Sequence, residues 1–498
     1  MTPSTIYRFL PVTDIVDEWV HNLLKYSRLL HGRHPDNREV LGEVGQYLSL
    51  DKFPDIEFDA FELDHYLKLD SSNGVRIISF APVVQELEDF IDMNPTVFLY
   101  FHQMLNQAVR PKNAELRKIE SCHDLLAAIN TILRSPPIWK DGLGIMVAGL
   151  PLYATLTNFC DTPAGFNTFV HPEVNAKFHN ILLEWQALLE SSESITVLSS
   201  EKGGWLSPEA LKAIVEYTGG DPEHDKFEDF YPCDTNDPHY GFKSYDDFFA
   251  RDLLPDRRAV EGPDAPEIIN AACTSIIHSL YPNLRKTDSF WMKGTPYSLR
   301  HLLGNHTLTT SFIGGTLLQG MLTSLDFHRW CSPVNGVVKG TSLIPGTYFA
   351  ARLDKIEDCP TLPQVSQNVE IIYEDPIVRS QDFSTAIAAR ALIFIEAEDP
   401  VGLICFVAVG MADVSTCRLT VKEGQSVKKG DPLGSFHYGG STHCLIFSPH
   451  LKVDLCTDSQ TGKPLKQKEK DSPGSKVYVG RRLLVVEEIQ PCDGIMHL

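Results

Sequence analysis

"GDPLGSFHYGGSTHCLIFSPH", residues 430–450, sets two apolar runs on either side of a Gly-Gly pair. Upstream, Gly424, Gly430 and Gly434 fall every few residues between apolar positions, as where a chain turns repeatedly between the short strands of a small barrel or sandwich. A strand ends near Phe436, and Gly439-Gly440 after it reads most simply as a hairpin turn. The same glycines also bring Ser441 and Thr442 to a tight bend, where a reactive hydroxyl would sit. On these residues alone both readings stand.

This texture fills the carboxyl-terminal half. Beyond about Glu261 come "SIIHSL", "NGVVKG", "ALIFIEA", "LICFVAVG", "CRLTVKEG" and "SKVYVGRRLLVVEE", short β-branched runs closed by glycine, proline or charge. The most apolar stretch, residues 391–411, is interrupted by Glu396, Glu398, Asp399 and Pro400. It predicts two strands joined by a turn, not a spanning helix. "KQKEKDSPGSK", residues 466–476, reads as a solvated loop.

The amino-terminal half has a different period. From about Asp14 to Leu189, stretches such as "VQELEDFIDMNPTVFLYFHQMLNQAV" place apolar residues three and four apart, which predicts helices. Ser121 is a candidate cap for "CHDLLAAINTILRS", and Pro136-Pro137 closes that helix. One more helix lies within residues 199–220, and the Pro, Gly and Asp content of 218–240 suggests a connector. The expected fold class is α+β, with a helical domain over 1–200, a connector over 201–260 and a β-rich domain of short antiparallel strands over 261–498. Acids and histidines of the helical half, such as His65 and Glu115, read as solvated or structural.

A net charge of −21 over 498 residues opposes phosphate backbones and anionic lipid surfaces, so neither a nucleic-acid partner nor stable membrane association is expected. The first thirty residues lack the pattern of a secretory signal. Eleven scattered cysteines without a C-x-x-C pair indicate neither a disulfide framework nor a zinc site; no metal is expected, and a cytoplasmic location fits.

A second segment, "TSLDFHRWCSPVNGVVKG" (323–340), carries chemistry. On a strand, Asp326 and His328 would project from one face, a carboxylate orienting a proton-shuttling imidazole. A structural histidine beside a surface aspartate gives the same spacing.

Together the two segments resemble the phosphatidylserine decarboxylase family of pyruvoyl enzymes. Its signatures are an aromatic-flanked D-x-H-R ahead of P-x-x-G, here Asp326 to Arg329 and Pro333 to Gly336, and a late Gly-Ser-Thr, here Gly440, Ser441 and Thr442. "SYDDFFARDLLPDRRAV", "FWMKGTPYSLRHLLG" and "IPGTYFA" follow the family order, and the resemblance spans about Phe242 to Val486. Within the family the sequence is more similar to the soluble fungal L-tryptophan decarboxylases of the psilocybin pathway, through Gly204-Trp205-Leu206, "YGFKSYDDFF", "NAACTS", "FHRWCSPVNG", "AIAARALIFIEAED" and "FHYGGS".

The resemblance implies self-cleavage between Gly440 and Ser441. The Ser441 hydroxyl attacks the Gly440 carbonyl to form an ester, and elimination then leaves dehydroalanine, which hydrolyses to a pyruvoyl cofactor. Chains 1–440 and 441–498 would stay together as the working enzyme. A small-molecule amino acid, aromatic and with L-tryptophan favoured, would bind through a Schiff base and leave as its amine and carbon dioxide. His328 is implied as the base acting on Ser441, assisted by Asp326, with His328 or His437 as the proton donor. Phe327, Trp330, Tyr348 and Phe436 are aromatic and close to the signatures, where they would stack on a substrate ring or fill the core.

The sequence departs from the family in two respects. An S-P-x-D-G acid is replaced in "NAACTS" (270–275), and the N-E-R segment reads Ala388, Ala389, Arg390, so Asp326 is the expected substitute acid. The alternatives are a phosphatidylserine decarboxylase yielding phosphatidylethanolamine, and an unprocessed binding protein.

Overall fold

The computed structural model describes residues 13–36, 42–69, 74–108, 119–141, 148–287, 297–353, 376, 380–413, 415–438, 441–469 and 472–488. The class is α+β, with helices in the amino-terminal half and mostly antiparallel short strands in the carboxyl-terminal half. The chain clusters into two compact units, one of Met1–Phe227, Cys233–Phe248 and Thr347–Ser380, the other of Glu228–Pro232, Phe249–Gly346 and Gln381–Leu498. Glu115 lies outside the described residues.

The first unit contains helices α1 (Thr13–Leu30), α2 (Ala60–Leu67), α3 (Pro82–Met93), α4 (Pro95–Gln107), α5 (Cys122–Ile132), α6 (Pro151–Cys160), α7 (Pro163–Val170), α8 (Pro172–Glu190) and α9 (Pro208–Thr218), with a small pair of strands, β1 (Tyr47–Ser49) and β2 (Gly74–Arg76). Their limits follow local chemistry. The long apolar-periodic stretch predicted around residue 95 splits where Asn94 ends α3 and caps α4, its Oδ1 accepting from the N–H groups of Thr96 and Val97 at 3.1 and 3.2 Å. Pro95 then opens α4 at a position where no N–H is needed. Ser121 caps α5 as expected, accepting from Asp124 N at 3.0 Å. Gly219 closes α9 in the left-handed conformation.

The second unit is built on β3 (Ile268–Asn270), β4 (Ser275–Tyr281), β5 (Thr316–Leu322), β6 (Arg329–Cys331), β7 (Gly336–Ile344), β8 (Arg390–Ala397), β9 (Leu403–Gly410), β10 (Thr416–Leu419), β11 (Ser426–Val427), β12 (Pro432–His437), β13 (Ser441–Phe447), β14 (Leu451–Leu455), β15 (Lys476–Val477) and β16 (Arg482–Glu488). An eight-stranded antiparallel sheet runs β11-β7-β8-β9-β13-β5-β4-β15, and two three-stranded sheets run β10-β12-β6 and β14-β16-β3. The apolar stretch 391–411 forms the predicted two strands, β8 and β9, paired from Arg390↔Val409 to Glu396↔Leu403. β13 is central and fully buried, so its sequence is apolar on both faces rather than alternating.

Strand alternation sends Thr442, Cys444 and Ile446 to one face, where Cys444 and Ile446 join Leu299, Leu302, Phe312, Phe394 and Val407 in a core cluster. Ser441, His443 and Leu445 take the other face. There the β10-β12-β6 sheet covers them: Phe406 of β9 lies 5.6 Å from Trp330 and 5.9 Å from His443, centroid to centroid.

The hairpin reading falls on Gly439-Gly440, which lie outside the described residues. The strands on either side, β12 and β13, belong to different sheets. Gly434 marks no turn. It sits within β12 beneath Trp330, where a Cβ would come 2.6 Å from the indole and 2.3 Å from the Arg418 carbonyl.

Candidate active site

The backbone brings the two signature segments together. β6 pairs with β12 through Arg329↔Ser435, and Phe436 N–H donates to the His328 carbonyl at 2.9 Å. β5, whose end leads into the Asp326 turn, pairs with β13 through Leu322↔Ser441. The six residues from Thr323 to His328 are therefore anchored at one end beside Ser441 and at the other beside Phe436.

Ser441 is wholly buried, and its Oγ has no hydrogen-bond partner among the described residues. A hydroxyl so placed costs about 1–3 kcal/mol unless something uses it. Gly439 and Gly440, and with them the Gly440–Ser441 bond, lie outside the described residues. Thr442 points the other way, its Oγ1 donating to Gly320 O at 2.9 Å and accepting from Gln319 Nε2 at 3.0 Å. Tyr297 donates to Gln319 Oε1 and bonds Ser279, both at 2.6 Å, so a satisfied polar chain backs the serine's strand.

His328 is completely buried and stacked on Phe249, with centroids 4.2 Å apart and planes at 28°. Burial pushes its pKa down to about 3, and the Arg251 charge adds to this; the carbonyls of Ser324 and Thr323 act in the opposite sense without a well-formed hydrogen bond to either ring nitrogen. The imidazole is thus neutral and able to accept a proton.

Asp326 is also buried, yet no hydrogen bond joins it to His328. Oδ2 accepts from Thr323 N at 2.8 Å and Thr323 Oγ1 at 3.1 Å, and Oδ1 lies 3.0 Å from Lys476 Nζ. The D-x-H segment is a turn, not a strand, so the two side chains do not share a face. His437 is buried and its Nε2 is 3.0 Å from Ser435 Oγ. Trp330 and Phe436 meet edge to face at 4.9 Å, and Phe327 is buried in the same unit. Tyr348 falls in the helical unit, its hydroxyl 2.8 Å from His179 Nδ1.

Four residues near these groups were not singled out from the sequence. Phe249 stacks on His328, and Arg251, a buried cation, donates to Leu325 O at 3.2 Å. His443 lies two residues along the strand from Ser441, fully buried, with neither ring nitrogen hydrogen-bonded to a described residue and its pKa pushed down by burial to about 4. Lys476, placed in a solvated loop by its neighbours' charge, is instead drawn onto Asp326. Only the F-F-x-R motif gave a sequence signal for the first two.

Comparison with known proteins shows the family. Two phosphatidylserine decarboxylase family models match, over residues 81–214 and 245–484. The decarboxylase iboD of Amanita muscaria (strain Koide BX008) is 39% identical over 347 residues, 68% of this chain and 97% of that protein. The L-tryptophan decarboxylase of Psilocybe cubensis is 36% identical over 382 residues, 75% of this chain and 81% of its own. Phosphatidylserine decarboxylase proenzyme 3 of Schizosaccharomyces pombe is 31% identical over 239 residues, 47% of this chain and 22% of its own. The chain is a decarboxylase, a carboxy-lyase. The chain belongs to the phosphatidylserine decarboxylase family, whose members depend on a pyruvoyl group formed by self-cleavage at a serine. No helix among the described residues is long and apolar enough to cross a membrane.

Proposed function

We propose that the chain cleaves itself between Gly440 and Ser441 and decarboxylates a free L-amino acid, with L-tryptophan the favoured substrate. The observation that carries the cleavage site is the Ser441 hydroxyl, wholly buried and unpartnered among the described residues at the head of the central strand. A pyruvoyl group fits this position, since converting Ser441 removes the orphaned hydroxyl.

His328 takes the Ser441 proton as Oγ attacks the Gly440 carbonyl carbon; the peptide C–N bond breaks and its nitrogen receives a proton. Loss of the Ser441 α-proton then breaks the Cβ–Oγ bond and frees the Gly440 carboxylate. Water replaces the resulting nitrogen as ammonia, leaving residues 1–440 and 441–498 as a two-chain enzyme. A pyruvoyl group at position 441 would supply a carbonyl for the substrate amine and a sink for the electrons left by carbon dioxide. His328 or the Ser435-bound His437 returns a proton to the substrate carbon. Trp330 and Phe436 form an aromatic wall on the serine's side of the sheet.

The substrate reading rests on coverage. Two L-tryptophan decarboxylases, of Psilocybe cubensis and Psilocybe cyanescens, align over three quarters of this chain, whereas the Schizosaccharomyces pombe phosphatidylserine enzyme aligns over less than half. The net charge of −21 opposes an anionic lipid surface and supports a dissolved substrate in the cytoplasm.

Intact mass and a denaturing gel of purified protein test the first part. The expected result is a 58-residue piece, 441–498, with a blocked amino terminus, absent in Ser441→Ala. Active full-length protein would overturn it, and an inactive full-length protein would favour a binding role. Amine release from tryptophan, phenylalanine, tyrosine and phosphatidylserine vesicles, measured side by side, decides the substrate; turnover of the vesicles alone would overturn the amino-acid reading.

A further inference from the structure

We propose that Lys476 is a positioning residue for self-cleavage: acting through Asp326, it fixes the turn that leads from β5 to His328. The inference rests on Ser441 as the cleaved residue and adds a group from the far edge of the sheet.

The geometry is a relay of backbone and charge. β13, β5, β4 and β15 are adjacent in that order, with Leu322↔Ser441, Ile276↔Met321 and Lys476↔Ile276 in register. β15 is only two residues long, yet its pairing sets the Lys476 side chain, one fifth exposed, 3.0 Å from Asp326 Oδ1. Asp326, 1% exposed, spends its other oxygen on the N–H and hydroxyl of Thr323, closing the turn on itself. Oδ1 has no hydrogen-bonding partner beyond this ion pair among the described residues. Removing the ammonium would strand a buried carboxylate, which escapes by opening the turn to water. The turn opens two residues before His328, so the proton acceptor would lose its place.

The acid that the family supplies from the segment now reading "NAACTS" is therefore not replaced by an Asp326–imidazole bond. Asp326 works on the backbone, and Lys476 holds Asp326. After cleavage the two partners lie on different chains, so the ion pair also ties 441–498 to 1–440.

Other groups around the pair stay silent over the useful pH range. Burial raises Tyr478, whose ring lies 5.9 Å from Lys476 Nζ, to about 12, and raises Cys273, within reach of the Asp326 charge, well above its usual value. Burial lowers Lys476 itself, with Asp326 acting in the opposite sense.

The test follows self-cleavage of purified full-length precursors, with thermal midpoints, for wild type, Lys476→Arg, Lys476→Met and the double variant Asp326→Asn with Lys476→Met. Expected are a slowing of at least tenfold in Lys476→Met, a rate within about threefold of wild type in Lys476→Arg, and recovery of most of the lost rate in the double variant, where no carboxylate is stranded. In alkaline buffer the wild type should slow at lower pH than Lys476→Arg, because the guanidinium stays charged. Wild-type cleavage in Lys476→Met, or a folded double variant at least tenfold slower than wild type, would overturn the proposal. If Lys476→Met does not fold, the double variant decides, since it strands no charge. A wild-type chain that never cleaves would instead overturn the Ser441 reading.

Discussion

The imidazole of His328 lies flat on the ring of Phe249, 4.2 Å between centroids, with neither nitrogen hydrogen-bonded to a described residue. An imidazole held by stacking rather than by a carboxylate keeps both nitrogens available. It also stays neutral, because burial and the nearby Arg251 hold its pKa near 3. Its neutral form, which the proposed role as base requires, is thus present from alkaline pH down to about 3, well below the ordinary histidine value of about 6.5. Self-cleavage of freshly purified precursor should therefore show no acid limb near pH 6.5 over the range in which the chain stays folded. His328→Gln should slow cleavage by about 100-fold or more at every pH. An acid limb at 6.5 that disappears in another histidine variant would move the role to that residue.

Gly320 makes room for His443. A Cβ there would come 2.5 Å from His443 Cε1 and 2.7 Å from Ser275 Oγ, closer than side chains tolerate. Gly320→Ala must push the imidazole along the Ser441 face or bend β5, whose Leu322 pairs with Ser441. The expected cost is about 1–3 kcal/mol of stability together with slower cleavage. Thermal denaturation and a cleavage time course check both. Unchanged stability with unchanged cleavage would mean that the ring moves freely, and His443 would then have no fixed place.

The residues differed in how much of this they revealed. Period and punctuation sufficed for the class: 3.6-residue spacing before about residue 190, β-branched runs split by glycine after about 261. Local chemistry sufficed for the Ser121 cap and for the β8–β9 hairpin, where Pro400 and three acids mark the turn. A Gly-Gly pair such as Gly439-Gly440 signals a change of direction and does not say which sheet the next strand joins, and β13 joins a different sheet from β12. Local chemistry failed at Gly434, whose absent side chain serves the indole above it. Asp326 and His328 were found by spacing, but spacing assumes a strand, and the Thr323–Asp326 hydrogen bonds make a turn there instead. Lys476 and His443 stayed hidden for opposite reasons. One is an ordinary charge in a charged run whose partner lies 150 positions away, and the other looks like one more member of an apolar strand.

His443 also sets a stability limit. Its pKa in the folded chain is about 4 through burial, against about 6.5 when unfolded. Below 6.5 the unfolded chain binds a proton that the folded chain refuses, so this residue's share of stability is complete above about 6.5 and is lost as pH falls toward 4. The loss runs at about 1.4 kcal/mol per pH unit across that window. His443→Phe keeps a flat ring stacked on Phe406 and cannot take a proton. Its stability, measured by urea denaturation at pH 7, 6 and 5, should fall less steeply than that of the unmutated chain by about that slope. Other buried histidines, His328 among them, contribute equally to both proteins and cancel in the difference. Parallel curves for the two would show that His443 finds a proton-accepting partner when charged, and that its ring is open to water on the Ser441 face.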